Sequence, residues 1–187
     1  TNGVTLTDDL IERALTLGHI SFNVSVDGIT ADSHGRFRGR RDSFERTLNS
    51  VHRLGDAGLL KGVLSTPHSL AHADEYEAVY ELAERAGAEY LLMNPLSSFG
   101  RGIRSRGRLK ADEKTMTDVM RGVEEAAVKH PTEAVFIRFP NEDRPLGGCI
   151  AGEVFYVFVN GEVAACPYLV FATENAGAKH TREEFIV

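Results

Sequence analysis

Apolar residues along the chain alternate between two spacings, one typical of helices and one typical of strands. Four segments carry them at the three- and four-residue intervals of a helix face: Leu10 to Leu15, Phe44 to Leu54, Tyr76 to Ala83 and Met116 to Val123. Asp8 and Asp112 are the predicted N-caps of the first and last of these helices, and Gly18 is a predicted helix end. We therefore predict four amphipathic helices, the first with Leu10, Ile11, Ala14 and Leu15 on one apolar face.

Short apolar runs between these helices predict strands at residues 19–28, 62–66, 89–95 and 134–139. The glycine- and arginine-rich residues 99–108 predict a loop. Regular alternation of strand and helix favours right-handed βαβ crossovers and a parallel sheet. Four strands are too few to close a barrel of about eight. We therefore predict an α/β fold, a partial (β/α) barrel with parallel strands, over residues 1–140.

A different pattern follows the Pro- and Gly-containing linker at residues 141–148. A β-branched and aromatic run at residues 154–159 meets the turn dipeptide Asn160-Gly161, and residues 162–165 can return as a second strand. This pattern predicts a β-hairpin. We expect residues 141–187 to form a small appendage that begins with it.

The two cysteines of the chain, Cys149 and Cys166, flank this hairpin and would meet at its open end. That arrangement suits two ligands of one metal centre, and it also suits a disulfide. Unrelated buried thiols are the third interpretation, because two ligands do not complete a four-coordinate site.

Composition limits the class of protein further. With 187 residues, 42% hydrophobic and 26% charged, the sequence is typical of a soluble globular domain with at most a small appendage. We find no apolar run long enough to span a membrane and no signal peptide, and the formal charge of −6 gives no general attraction to nucleic acid. Two cysteines fit a reducing cytoplasm. Residues 1–3 start without Met and residues 185–187 stop within an apolar run, so we expect a chain truncated at both ends.

Several motifs resemble one enzyme family in the correct order. Thr1-Asn2-Gly3 followed by Ser25-Val-Asp27-Gly28 resembles the third and fourth strands of a radical S-adenosylmethionine barrel. Further matches are His34, Arg38-Gly-Arg40, Ser43-Phe44 and Ser98-Phe-Gly-Arg-Gly102. Cys149, eleven residues, Gly161, four residues and Cys166-Pro-Tyr-Leu resemble the opening of the SPASM or twitch extension of these enzymes.

The resemblance implies roles for individual residues. Ser25 would bind the ribose or methionyl part of S-adenosylmethionine, Asp27 would lie in the same cofactor site, and Arg38 would pair with the cofactor carboxylate. Met93 would lie near the adenosyl group and Thr1 near the substrate. Cys149 and Cys166 would ligate an auxiliary [4Fe–4S] cluster.

One departure from the family decides what the chain can do alone. The Cys-x3-Cys-x2-Cys loop that holds the catalytic cluster and the Gly-Gly-Glu element are both absent from the sequence. We therefore expect an inactive fragment whose missing amino-terminal half, or a partner chain, completes the enzyme. The parent would cleave S-adenosylmethionine reductively to a 5′-deoxyadenosyl radical and abstract hydrogen from a peptide or small molecule.

Two further motifs, and two further functions, compete with this interpretation. His68 and His72 have the spacing of a zinc pair, but Pro67 argues against a helix there. The basic run at residues 101–110 could be a phosphate or RNA patch, although a solvated loop is typical of such runs. The alternative functions are a non-catalytic α/β binding or assembly module with structural cysteines, and a metal-free lyase or aldolase barrel. For the latter a strand-end lysine is expected, whereas Lys61 begins its strand.

Overall fold

A computed structural model describes residues 1–96, 102–137, 153–158 and 160–166 of the chain. In chain order the elements are α1 (Asp8–Leu17), β1 (Phe22–Ser25), a π-helical turn (Ala31–Gly35), α2 (Arg36–Arg38), α3 (Ser43–Asp56), β2 (Leu60–Ser65), α4 (Glu75–Arg85), β3 (Tyr90–Met93), α5 (Gly102–Leu109), α6 (Glu113–Ala127), β4 (Glu133–Phe136), β5 (Tyr156–Val157) and β6 (Val163–Ala164).

The first four strands form one parallel sheet in the order β1-β2-β3-β4. Residue pairs such as Val24↔Val63 and Val63↔Leu91 hold the register across the sheet. Each crossover between neighbouring strands passes through at least one helix. The fold is therefore α/β with a parallel sheet, consistent with a partial (β/α) barrel, and this prediction is confirmed.

The core lies where β2 and β3 meet the helices that cover them. Val63, Leu91, Tyr76 and Tyr80 are all 0% exposed. The Tyr80 hydroxyl donates to the Thr132 carbonyl at 2.7 Å, which ties α4 to the segment before β4. Because large side chains of both α4 and the strands are buried there, the middle of the sheet is more stable than the loops at its ends.

The first helix differs from its prediction in two ways. Thr7, not Asp8, is the N-cap, because its extended backbone lets its hydroxyl accept from the Leu10 amide at 3.3 Å. Leu10 and Leu15 of the predicted apolar face are 45% and 51% exposed, so only half of that face is buried. Only Ile11 and Ala14 are buried, because the helix packs through one narrow stripe. Its end at Gly18 is confirmed by a left-handed φ of 80°.

The predicted loop at residues 99–108 was wrong from residue 102 onward, since Gly102–Leu109 is helical. Residues 97–101, and with them most of the motif that ends at Gly102, lie outside the described part of the chain. Arginine and leucine are good helix formers, and the end of α5 is fixed by outside contacts. Ser69 donates its amide to the Leu109 carbonyl at 3.0 Å and its hydroxyl to the Arg108 carbonyl at 2.8 Å.

The predicted hairpin is confirmed in the part of it that is described. Tyr156 pairs with Ala164 and Val157 with Val163 in antiparallel register. Gly161 turns the chain with a φ of 86°, and the Phe158 amide donates to the Glu162 carbonyl at 2.9 Å. No helix within the described residues is long and apolar enough to cross a membrane.

Candidate functional site

A buried ion pair lies at the carboxyl edge of the sheet. Asp27, two residues beyond the end of β1, is 0% exposed. Its Oδ2 accepts from Nε of Arg38 on α2, and its Oδ1 accepts from the Thr66 amide, just after β2, at 2.9 Å. Burial raises the pKa of Asp27, while the Arg38 charge and the Thr66 amide act in the opposite direction. One carboxylate thus joins β1, α2 and the end of β2.

Arg38 is held at one edge of its guanidinium and remains 28% exposed. The Arg38 Nε donates to Asp27, and the two terminal nitrogens of Arg38 form no hydrogen bond with a described residue. Arg38 lines a cleft of about 340 Å³ together with Phe37, Gly39, Thr66, Leu96, Ser105 and Leu109. We call this the edge cleft. Arg38 therefore offers the edge cleft two terminal nitrogens without a partner among the described residues, and a positive charge beside apolar walls.

Two buried histidines support the edge cleft from below. His34 accepts from the Asp27 amide at 3.1 Å and His68 from the Leu70 amide at 3.1 Å, both through Nδ1. Neutral imidazole therefore carries its proton on Nε2 in each case. Burial lowers the pKa of each histidine to about 4, and the nearby Arg38 charge acts in the same direction.

The Nε2 atoms of His34 and His68 have no hydrogen-bond partner among the described residues. The His68 ring stacks on Phe37 with the centroids 4.0 Å apart and the planes 13° from parallel. His68 thus fixes the aromatic wall of the edge cleft, and His34 fixes the backbone of the carboxylate that holds Arg38.

Tyr76 on α4 completes the support. Its hydroxyl donates to the Asp27 carbonyl at 3.3 Å and accepts from the His68 amide at 3.0 Å. Burial raises the pKa of Tyr76, so the hydroxyl stays protonated at neutral pH. Because α4, β1 and the segment after β2 meet at this hydroxyl, the edge cleft is built on rigid elements.

The other residues predicted for the cofactor and substrate are dispersed around this pair. Ser25 ends β1 and is half-buried, and its amide donates to the Thr1 carbonyl at 2.9 Å. Thr1 is exposed and lies beside β1. Met93 ends β3 and is 0% exposed. The described lining of the edge cleft includes Arg38 but not Ser25, Asp27, Met93 or Thr1. Their predicted roles remain predictions.

The predicted metal ligands are only partly described. Cys166 is half-buried, follows β6 and forms no disulfide with a described residue. Cys149 and the linker at residues 141–148 lie outside the described residues. Within those described, no group of three or more His, Cys, Asp or Glu side chains could hold a metal ion. The auxiliary cluster and the disulfide alternative therefore both stay predictions.

Phe37 and Thr66 form part of the edge cleft, although neither belongs to the motifs that mark the other site residues. Thr66 has a recognisable signal, since it follows a predicted strand at the ligand-binding end of a parallel sheet. Phe37 is an isolated apolar residue in an arginine-rich segment, and its contact with His68 joins residues far apart in sequence. No spacing rule predicts that contact.

A partial (β/α) barrel with a polar cleft at the carboxyl edge of its sheet belongs to a class in which small ligands bind at that edge. Comparison with known proteins indicates which proteins of this class the chain resembles. The sporulation killing factor maturation protein SkfB of Bacillus subtilis is 27% identical over 168 residues, 88% of this chain and 40% of SkfB. The AdoMet-dependent heme synthase of Methanosarcina barkeri is 26% identical over 204 residues, 98% of this chain and 58% of the synthase.

The mycofactocin maturase MftC of Mycobacterium tuberculosis is 33% identical over 104 residues, 54% of this chain and 26% of MftC. Among solved structures, Streptococcus suis SuiB matches with a TM-score of 0.64 and 11% identity, over 91% of this chain and 43% of SuiB, which supports the fold. No family model matches. The relatives are radical S-adenosylmethionine proteins, so the comparisons confirm the family resemblance that the motifs of this chain predict. It spans about half the length of SkfB and of the heme synthase.

Proposed function

We propose that the chain supplies the S-adenosylmethionine-binding edge of a radical enzyme that modifies a peptide or a small molecule. When bound, S-adenosylmethionine and a reduced [4Fe–4S] cluster supply a 5′-deoxyadenosyl radical that abstracts hydrogen from the substrate. The chain's own residues would bind the cofactor, orient it and shield it from water. The names of SkfB and MftC, a maturation protein and a maturase, favour a peptide substrate.

The half-held guanidinium of Arg38 carries this proposal. Among the described residues only Asp27 bonds the Arg38 guanidinium, through Nε, so the terminal nitrogens remain for a bidentate bond with the methionyl carboxylate of the cofactor. Asp27 serves by orienting Arg38, and its own oxygens are already satisfied by Arg38 and Thr66. A volume of about 340 Å³ lies within the range of small-molecule clefts, about 300–1,000 Å³.

Further contacts with the cofactor and substrate complete the proposal. Ser25 hydrogen-bonds the ribose or methionyl part, and Met93 shapes the adenosyl side from the end of β3. Thr1, exposed beside β1, faces the substrate. These roles rest on the family motifs and on the position of Ser25 and Met93 at carboxyl ends of parallel strands in one sheet.

The iron–sulfur chemistry requires thiolates that this sequence does not contain. Three thiolates hold a catalytic [4Fe–4S] cluster of this family, and the chain has two cysteines in all. We place both of them on an auxiliary cluster, in a SPASM- or twitch-like unit at residues 141–187 that follows the barrel portion at residues 1–140. The hairpin that leads into Cys166 supports this arrangement, and we place the protein in the cytoplasm, where thiolates stay reduced.

Cofactor binding tests the role of Arg38. Titration of the full-length protein with S-adenosylhomocysteine, a stable analogue with the same carboxylate, should show that Arg38→Gln weakens binding by about tenfold, since it removes a charge-assisted bidentate bond. Arg38→Lys should fall between, because it keeps the charge and loses the fork. Arg46→Gln, an exposed arginine that does not line the edge cleft, is the matched control. Equal affinity of Arg38→Gln and Arg46→Gln would refute the proposed site.

Iron content tests the auxiliary cluster separately. After anaerobic reconstitution, Cys166→Ala and Cys149→Ala should each lower iron and sulfide by the content of one cluster. Val163→Ala is the control, because Val163 lies on the same hairpin, is 61% exposed and offers no metal ligand. Its iron content should equal that of the wild type. Unchanged iron in both cysteine variants would favour the non-catalytic module with structural cysteines.

A further inference from the structure

A second cleft beside the edge cleft is lined by four arginines from two distant parts of the chain. Arg36, Arg40 and Arg41 come from α2 and the loop after it, and Arg108 comes from α5. We call this the arginine cleft; its volume is about 360 Å³. Gly39 and Leu109 line both clefts, so the two adjoin. In a chain of formal charge −6 this is a local concentration of positive charge.

The four guanidinium groups differ in whether they are neutralised. Arg40 pairs with Asp42 at 2.5 Å and Arg41 with Asp32 at 2.9 Å. The guanidinium groups of Arg36 and Arg108 form no ion pair with a described residue. Among the described residues, therefore, Arg36 and Arg108 lack an acidic partner, and they come from two different walls of the cleft. Arg40 and Arg41 add little repulsion, because each is paired with an aspartate.

The backbone around the arginine cleft is fixed. Arg40 donates its amide to the Gly35 carbonyl at 2.7 Å, and the Ser43 hydroxyl donates to the Arg40 carbonyl at 2.6 Å. A Cβ at Gly35 would lie 2.6 Å from the Arg41 Cα, so the loop closes on α2 only because residue 35 is glycine. On the opposite wall, the Ser69 hydroxyl holds the Arg108 carbonyl at 2.8 Å. The backbone positions of Arg36 and Arg108 are therefore set before a ligand arrives.

We propose that the arginine cleft binds a substrate carboxylate, the side chain of an Asp or Glu in a peptide, and so positions that peptide next to the edge cleft. This inference rests on the proposed function for naming the ligand a substrate. Guanidinium groups match carboxylates in geometry and charge. Nucleic acid fits less well, because the described lining offers Leu70 and Leu109 but no aromatic stacking surface.

Binding of defined peptides tests the inference without requiring turnover. The full-length protein is titrated at low ionic strength with a blocked Gly-Glu-Gly-Glu-Gly peptide and with its Gln counterpart, which differs only in charge. The acidic peptide should bind about tenfold more tightly. Arg36→Gln and Arg108→Gln should each weaken it by about fivefold, and raising the salt concentration should weaken it further.

Arg13→Gln is the matched control, since Arg13 is exposed on α1 and lines neither cleft. Equal affinity for the two peptides, or equal losses in the Arg13 and Arg36 variants, would overturn the carboxylate site. Displacement of the acidic peptide by inorganic phosphate but not by acetate at equal concentration would assign the cleft to phosphate and also overturn it. If the wild type binds the acidic peptide but not S-adenosylhomocysteine, the proposed function fails and the carboxylate site stands.

Discussion

In the parallel sheet Val63 and Leu91 are 0% exposed, whereas in the hairpin Phe155 and Val163 are 74% and 61% exposed. Both regions carry clear strand signals in the sequence, and both form strands. The sheet is covered by α3, α4 and α6, while the described hairpin residues pair chiefly with one another. The spacing of apolar residues in the sequence thus determines which segments become strands, and the burial of their side chains determines which of these strands are stable.

This contrast bears on function. A two-stranded hairpin is marginally stable by itself in water. The edge cleft, in contrast, rests on a carboxylate, two histidines and a tyrosine that are all buried. We therefore expect the edge cleft to be ordered before a ligand binds. The hairpin should gain stability from any ligand that Cys166 binds.

The largest difference should come from truncating one apolar side chain in each region. Leu91→Ala should lower the free energy of unfolding by about 2–5 kcal/mol, because it leaves a cavity in a fully buried strand. Phe155→Ala should leave it nearly unchanged. Urea unfolding followed by circular dichroism measures both. A loss of the same size in Phe155→Ala would mean that the hairpin is packed into the same core.

The next effect concerns the buried ion pair. Asp27→Asn keeps the shape but removes the charge opposite Arg38, and should cost about 3 kcal/mol, at the lower end for broken buried pairs because Arg38 is partly exposed. Asp42→Asn, at an exposed pair with Arg40, should change stability little. Urea unfolding of the two variants beside the wild type gives both values.

A double variant separates the pair from its surroundings. If Arg38 and Asp27 interact as described, the double variant Asp27→Asn/Arg38→Gln should lose less free energy of unfolding than the sum of the losses in the two single variants. Additive losses would show that the two side chains act independently, and Arg38 would then lack its positioning residue.

Sequence patterns predicted much of the sheet and little of the cleft. The four strands of the sheet, the helix ends at Gly18 and Asp112 and the Asn160-Gly161 turn follow from local chemistry that each segment carries within itself. Helix α5 and the exposed side of α1 could not be predicted in this way. Ser69 fixes the end of α5, and no element in the described part of the chain covers Leu10, so tertiary contacts decided both.

The site shows the same division. Asp27 and Arg38 are marked by motifs, but their mutual ion pair was not predicted, because it depends on how α2 turns back over the end of β1. The roles of Phe37 and Thr66 depend on the same turn. A sequence can indicate which residues carry chemistry, and the fold determines which partners they meet.

A third effect is the response of the buried histidines to pH. In the folded state His34 and His68 have pKa values of about 4, below the ordinary value of 6.5. Well above pH 6.5 both histidines are neutral in the folded and in the unfolded chain, and their contribution to the free energy of unfolding is fully present. As the pH falls below 6.5, both histidines become protonated in the unfolded chain but stay neutral in the folded chain. The free energy of unfolding therefore falls by about 2 kcal/mol per histidine between neutral pH and pH 5.

Urea unfolding at pH 7.5 and at pH 5, about one unit above and 1.5 units below the ordinary histidine pKa, measures this loss. His34→Asn and His68→Asn should each reduce the difference between the two conditions by about 2 kcal/mol. His52→Asn, at an exposed position on α3, should leave the difference as in the wild type. A pH dependence that is unchanged in the His34 and His68 variants would contradict their burial as neutral groups.

The smallest effect compares the two regions most directly. Gly39 and Gly161 both have a φ of 86°, and at neither would a Cβ meet another atom within 4 Å. Alanine at either position thus introduces the same backbone strain, about 1 kcal/mol, and no clash. Gly39→Ala should lower the free energy of global unfolding by that amount, because α2 unfolds with the sheet. Gly161→Ala should leave global unfolding unchanged and speed hydrogen exchange of the Phe158 amide by about fivefold, because the hairpin opens alone. Equal losses in global stability would instead show that the hairpin and the sheet unfold as one unit.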